Sequence, residues 1–491
     1  MELAFLVKKI ARRYFTKDMP GNSRLVSRRS FIRGAVDLTL KTAVAAGTLS
    51  LVNMQENIKR GLFPRIEIDP TIRLQEFLGL GAAMTDSSAY NIHNSPHKNE
   101  IMRDLFDPEK GIGLSLLRLP VGASDFIAHD QMYSYDDLPP GNTDRELQHF
   151  SIAHDKAYIL PLLRHAVKIN PNLKFIASPW SPPDWMKSNH SLFGTYKQKV
   201  GTLLPEYYAT YADYLVKFIQ AYQYEGINVY ALTIQNEPLS PVDTYPGMAL
   251  KAEDEARFIK DYLSPALKNA HLSTSIYAYD QNWDDPAYPE YILKSSASDS
   301  VGGIAWHCYS GNPSTMTNLH NKFPTSTQII TECSQGHNPL GIKKLLFASI
   351  ENWVSGVIVW NLVLDESGGP KMGNGCDNCT GLITVMKDGY SRTGDFDELA
   401  KFSKNIKPGA QRIQSVTRGN VESLAFQNTD GSCVLVVFNP SNFPIPFSVD
   451  FQGQSSWYIA QTNDMSIYYL INASAFGRPF RNPATRLVSK R

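Results

Sequence analysis

A chain of 491 residues, 43% hydrophobic and 19% charged, is long enough for one large α/β domain plus an accessory module and apolar enough to give both a core. The net charge of +1 hides an asymmetry: residues 1–33 carry +7 and the remainder −6, which argues against a nucleic-acid groove in the globular part. Of the five cysteines, Cys308, Cys333, Cys376, Cys379 and Cys433, a single pair is close (CDNC), so four-ligand zinc spacing is missing and the odd total leaves at least one cysteine unpaired within the chain.

At the amino terminus, residues 27–33 read SRRSFIR and precede a weakly apolar stretch, Gly34–Val52, which together look like a twin-arginine export signal. The uncharged stretch that begins at Thr42 and takes in Asn53 is too short to span a bilayer. Residues 1–55 are therefore set aside as an export leader, with Ala43-Val44-Ala45 as a weak peptidase site and Met19 as an alternative start. The expected location is periplasmic or extracellular; a plain disordered basic tail is the competing reading.

Ile66–Phe77 alternates like an exposed strand, and residues 56–76 are assigned to strands that join a sandwich at the far end of the chain. Eight short apolar runs follow, each ending in polar or aromatic residues: Phe77–Asp86, Leu114–Asp125, Lys174–Trp180, Asn228–Glu237, Ser273–Gln281, Val301–Tyr309, Thr325–Glu332 and Ser355–Asp365. Buried parallel strands have this texture, with chemistry confined to the C-terminal tip. Between them, Ala153–Ile169, Pro205–Gly226, Ala252–Ala270 and Leu340–Val354 carry helical patterns. Strands alternating with helices predict a (β/α)8 TIM barrel over residues 77–405.

Active sites of such barrels sit at the C-terminal ends of the strands. Those ends hold Asp125, Trp180, Glu237, Gln281, His307, Tyr309, Glu332 and Trp360. Glu237 and Glu332 are 95 residues apart, about three strand–helix units, which places them on strands four and seven across the barrel mouth. After Pro408 the runs shorten and alternate (Val421–Gln427, Cys433–Asn439, Phe447–Phe451), with Asp430-Gly431 as a hairpin turn. Residues 406–472 are read as an attached antiparallel β-sandwich, and 473–491, with five positive charges and no acid, as a solvated basic tail. Cys376 and Cys379 form a local disulfide in an oxidising compartment or pack as two free thiols.

The stretches Phe77–Ile92, Arg118–Phe126, Ala177–Lys187 (ASPWSPPDWMK), Thr233–Pro238, His307–Tyr309, Thr331–Cys333 and Trp360–Pro370, in this order, resemble glycoside hydrolase family 30, its glucosylceramidases above all. The resemblance spans residues 62 to 470 and implies a retaining β-glycosidase. It implies Glu237 as acid/base, Asn236 as the group that holds the sugar 2-hydroxyl, and Glu332 as nucleophile. By the same resemblance Asp125, Trp180 and Trp360 line the subsite for the terminal glucose. His307 and Tyr309 bond around the carboxylates, Tyr245 borders the acid/base, and Gln281 lies beside them. The CDNC segment and the loop Leu239–Gly247 depart from the lysosomal members.

The expected function is hydrolysis of a terminal β-glucosyl bond, of the glucosylceramidase type, by double displacement through two carboxyls ~5–5.5 Å apart. A β-1,6-glucanase or β-xylosidase of the same family is the alternative, and a non-catalytic glycan-binding barrel the second. No cofactor or metal is expected, since neither HExxH nor a Walker loop is present. The expected partner is a β-glucoside or glycolipid, with transient membrane-surface contact if the substrate is a lipid. Exposed Leu, Phe or Met on the Leu239–Gly247 and Gly368–Thr380 loops would favour the lipid.

Overall fold

All eight apolar runs form parallel strands, and the strands close into a barrel. They are Gly79–Ala83, Leu116–Val121, Lys174–Pro179, Val229–Thr233, Ser275–Asn282, Gly303–His307, Thr327–Glu332 and Val354–Asn361, numbered one to eight below. The structure is a computed structural model that describes residues 63–470, apart from 130, 335, 338, 339 and 374. The expected leader (1–55) and basic tail (473–491) lie outside the described residues, as do 56–62. No helix among the described residues is long and apolar enough to cross a membrane.

The barrel interior follows from the two-residue period of a strand. One layer is an apolar plug of Leu116, Ile176, Ala231, Tyr277, Ala305, Ile329 and Ile358, from strands two to eight. Two residues further along six of these strands come Arg118, Ser178, Thr233, His307, Thr331 and Trp360. The layer nearer the mouth is therefore mostly polar, and the plug below seals it from the far end. Strand five breaks the count. Its register against strand six shifts between Tyr279 and Gln281, and Tyr279 and Asp280 both have positive φ, 81° and 53°. This bulge sends the Tyr279 ring to pack against Tyr288 and Trp306 and lets Asp280 take the inward position.

The expected helices appear with trimmed ends, as Ile159–Ile169, Tyr208–Tyr224 and Gly341–Glu351, and Ala252–Asn269 runs through a π segment at Ile259–Leu263. Among the described residues five further helices were not expected: Asp86–Asn94, Lys98–Phe106, Ala287–Lys294, Ser314–Lys322 and Gly394–Ser403. In the first, the buried face includes Asp86, Ser87, Ser88 and Asn91, so apolar periodicity is absent. Its start is set by Thr85, whose hydroxyl accepts from the Ser88 amide at 3.1 Å. A small sheet of Val363–Asp365, Ile383–Met386 and Gly389–Arg392, also not expected, follows strand eight.

Arg65–Phe77 does join the C-terminal strands, lying between Ala410–Arg418 (antiparallel) and Ile445–Phe451 (parallel) in a seven-stranded sheet. The sheet folds over its own core of Ile66, Ile413, Leu435, Val437, Phe447 and Val449, among others. Tyr458 and Tyr468, on the two strands at opposite ends of the sheet order, meet with ring centroids 4.7 Å apart. The sandwich is fastened to the barrel by Phe77, packed on Phe402 and Phe426, and by Arg412, which donates to the carbonyls of Ile350 and Glu351 at the end of helix Gly341–Glu351.

Candidate active site

Arg118 stands in the middle of a buried apolar strand, where an unpaired charge would be too costly to keep. Each of its three guanidinium nitrogens is paired. Nε donates to Ser178 Oγ at 3.1 Å, Nη2 donates to Asn236 Oδ1 and Asp280 Oδ2, both at 2.8 Å, and Nη1 donates to Glu332 Oε2. Asp280 is the second hub. It accepts from Arg118, from Thr233 Oγ1 at 2.8 Å and from Thr331 Oγ1 at 2.5 Å, and its Oδ1 lies 3.1 Å from His307 Nε2. Burial alone would raise this carboxyl, but the Arg118 charge and the His307 and Thr331 hydrogen bonds hold it well below the carboxylate range.

The two glutamates hang from this framework. Glu237 follows strand four with φ of 48°, its amide donating to the Asp280 carbonyl at 3.1 Å. Its Oε1 lies 3.1 Å from His307 Nδ1, and Tyr245 OH approaches Oε2 at 3.4 Å. Glu332 ends strand seven; its Oε1 accepts from Tyr309 OH at 2.9 Å and its Oε2 from Arg118. A carboxylate oxygen of each glutamate and a ring nitrogen of His307 lie within 4.8 Å of one another. That spacing suits the ~5–5.5 Å separation of a retaining pair and falls short of the ~6.5–9.5 Å that an inverting pair needs for its water.

His307 faces a carboxylate through each ring nitrogen. Burial would depress its pKa, but the Glu332 charge and the bonds to Asp280 and Glu237 raise it to about 9, so the ring is an imidazolium at neutral pH. Burial pushes the Glu332 carboxyl up, against the pull of His307, Arg118 and the Tyr309 hydroxyl. Asp125, beside the pair, is pushed up to about 8 by burial and then by the charges of Glu332 and Glu237.

The remaining expected residues separate into two groups. Asn236 accepts from Arg118, and because a guanidinium can only donate, the amide oxygen must face it and the NH2 remains as a donor. Tyr245, Tyr309 and Asp125 border the carboxylates as described. Trp180 and Trp360 instead stack on each other at 5.2 Å, with the Arg118 guanidinium 4.8 Å from the Trp180 ring and Phe126 edge-on to Trp360. Both are buried, packed with Ala83, Phe126 and Leu364. Gln281 braces the loop after Glu237: its side chain accepts from the Leu239 amide at 3.3 Å and donates to Ser240 Oγ at 3.1 Å.

Sequence reasoning missed Arg118 and Asp280 as site residues, and it missed a disulfide. Cys308 and Cys333, one residue past His307 and Glu332, are bonded to each other across the tips of strands six and seven. Neighbouring parallel strands of equal height make that pairing readable once the barrel is assigned. Cys376 and Cys379 are also joined, and Cys433 is free and buried. Among the described residues, His337 with Cys376 and Cys379 has metal-ligand spacing, but the two sulfurs are spent in the disulfide. The other such cluster is the glutamate pair with His307.

Two carboxyls at this spacing across the mouth of a (β/α)8 barrel define a glycoside hydrolase. The Glycosyl hydrolase family 30 TIM-barrel domain matches residues 77–406, and the Glycosyl hydrolase family 30 beta sandwich domain matches 409–467. The chain belongs to glycosyl hydrolase family 30. It is 36% identical over 412 residues to an endo-1,6-beta-D-glucanase of Neurospora crassa, covering 80% of this chain and 84% of that one. To the lysosomal acid glucosylceramidase of Mus musculus it is 29% identical over 431 residues, covering 82% of each. A solved endo-beta1,6-glucanase superposes with a TM-score of 0.74 at 32% identity, covering 83% of this chain and 94% of that one.

Proposed function

We propose that this hydrolase is a retaining endo-β-1,6-glucanase, in place of the glucosylceramidase first expected. The observation that carries this reading is the 36% identity to an endo-1,6-beta-D-glucanase over four-fifths of the chain. The mouth agrees with a hydrophilic substrate. On the Gly368–Thr380 loop the described exposed side chains are Asp377, Asn378 and Thr380, and of the large apolar residues on either mouth loop only Leu239 is exposed, at 44%.

In this reading Glu332, held by Arg118 and Tyr309, attacks the anomeric carbon from one face. Glu237 protonates the departing oxygen from the other and then activates water against the glycosyl ester. The Asn236 amide donates to the 2-hydroxyl, a bond that tightens as the oxocarbenium ion forms. Asp125, buried and protonated near neutrality, hydrogen-bonds a hydroxyl of the sugar whose bond is cleaved.

Turnover is to be measured on β-1,6-glucan, glucosylceramide and an aryl β-xyloside, with Glu332→Ala beside the wild type. The reading requires release of short oligosaccharides from β-1,6-glucan by the wild type alone. Preferential cleavage of glucosylceramide would replace it with the lipid reading, and no cleavage of any β-glycoside would leave a glycan-binding barrel. Two disulfides also support the expected export, since such bonds persist in oxidising compartments. Recovery of native protein from the cytoplasm with these thiols reduced would refute it.

A further inference from the structure

The connection after strand three carries a short hairpin, Thr195–Tyr196 paired with Lys199–Val200. It is fastened to the loop that follows Glu237. Phe193 forms a β-bridge with Pro246, Thr195 N donates to the Val242 carbonyl at 2.7 Å, and Thr195 Oγ1 donates to the Pro241 carbonyl at 2.5 Å. Underneath lies Lys187, fully buried. Its ammonium donates to Ser181 Oγ at 3.0 Å and to the carbonyls of Leu192 at 3.0 Å, Phe193 at 2.8 Å and Gly247 at 2.6 Å. One buried amine, its pKa brought down to about 7 by burial, therefore clamps both loops through their backbones, and among the described residues no carboxylate is hydrogen-bonded to it. An amine buried against three carbonyls and a hydroxyl, with no carboxylate bonded to it, is expensive to keep, which points to a geometry worth holding rigid.

What the clamp holds toward solvent is a pair of near-parallel aromatic rings, of which Tyr196 is the exposed one. The rings of Phe193 and Tyr196 are 6.3 Å apart and inclined by only 13°. Tyr196 is 39% exposed, the neighbouring Val200 is exposed as well, and the ammonium of the exposed Lys197 lies over the face of the Tyr196 ring, 5.0 Å from its centroid. When the exposed Lys197 side chain swings off the ring, a pyranose can pack its C–H face on Tyr196 while its hydroxyls take hydrogen bonds from Lys197 and Gln198. Isolated exposed aromatics mean little on a protein surface. This pair is distinguished by its tether: Pro246, bridged to Phe193, directly follows Tyr245, whose hydroxyl meets Glu237. The acid/base stands on the leaving-group side of the bond it cleaves.

We infer that Phe193 and Tyr196 form a saccharide subsite for the leaving-group portion of a β-glucan, held in place by the Lys187 clamp. The inference rests on the endo-glucanase reading above. Its test compares wild type, Tyr196→Ala and Tyr224→Ala on β-1,6-glucan and on a gentio-oligosaccharide of about six units labelled at the reducing end. Tyr224, 90% exposed at the end of helix Tyr208–Tyr224, is the matched control. Tyr196→Ala should raise KM on the glucan by roughly three- to tenfold, the scale of one aromatic contact, with kcat within about twofold. Cleavage of the labelled oligosaccharide should move toward the label, since units beyond the subsite no longer help binding. Failure of the wild type to cleave β-1,6-glucan would overturn the functional reading and this subsite with it. Cleavage by the wild type with an unchanged KM and unchanged cleavage position in Tyr196→Ala would overturn the subsite alone. An equal effect from Tyr224→Ala would overturn it too.

Discussion

Asp280→Asn removes one charge from the centre of the site and keeps the shape. The carboxylate accepts from Arg118, Thr233 and Thr331 and faces His307, all from within the barrel. An amide can satisfy some of these donors, but its NH2 must then face Arg118 or His307, which are donors themselves. Breaking a buried ion pair from one side costs about 3–5 kcal/mol, so the variant should unfold at visibly lower urea. His307 gives the functional magnitude. Its rise from an ordinary 6.5 to about 9 is worth roughly 3 kcal/mol in favour of the imidazolium, and Asp280 supplies part of it by hydrogen bond and by charge. Losing that part moves the ring toward neutrality and frees it to turn away from Glu237. The assay is kcat/KM for glucan from pH 4 to 10, beside urea unfolding. We expect a loss of about 100-fold or more at the optimum and an alkaline limb displaced toward lower pH, comparable with other carboxylates that orient a catalytic histidine. Wild-type kcat/KM with an unmoved alkaline limb would refute the assigned role of Asp280.

Replacing Cys308 and Cys333 together by alanine should cost about 3 kcal/mol in urea unfolding, because the bond closes a loop of 25 residues, and should lower kcat by loosening the tips that carry His307 and Glu332. Unchanged stability would show that the bond is not formed in the native protein. Asp125 is protonated in the folded chain up to about pH 8 but ionises near 3.8 when unfolded, so its contribution to stability is full below 3.8 and lost as pH rises to 8. Asp125→Asn should therefore flatten the decline of melting temperature between pH 5 and 8; an identical slope in wild type and variant would contradict the assignment.

The barrel was legible because its strands are buried on both faces and read as continuous apolar runs with polar tips. All eight were placed correctly, and so were the chain positions of the two glutamates at facing tips. Arg118 carried a signal that was passed over: a charge inside an apolar run such as LSLLRLPV must have a buried partner. Asp280 carried none. Regular alternation along strand five puts Tyr279 inward, and only the bulge reverses this. The missed helix at Asp86–Asn94 buries polar residues beneath loops, so a search for apolar periodicity passes through it. The position of Trp180 and Trp360 at strand tips was readable, whereas their mutual stacking depends on side-chain packing between strands three and eight.

Glu237 and Glu332 are close enough to act on one anomeric centre from its two faces, and the stereochemistry of the product reads this directly. Proton NMR of the first sugar anomer released from β-1,6-glucan, recorded before mutarotation, is the deciding measurement. The β anomer should appear first, and Glu332→Ala should release none. The α anomer appearing first would mean single displacement, and the pairing of these two carboxyls as acid/base and nucleophile would be wrong.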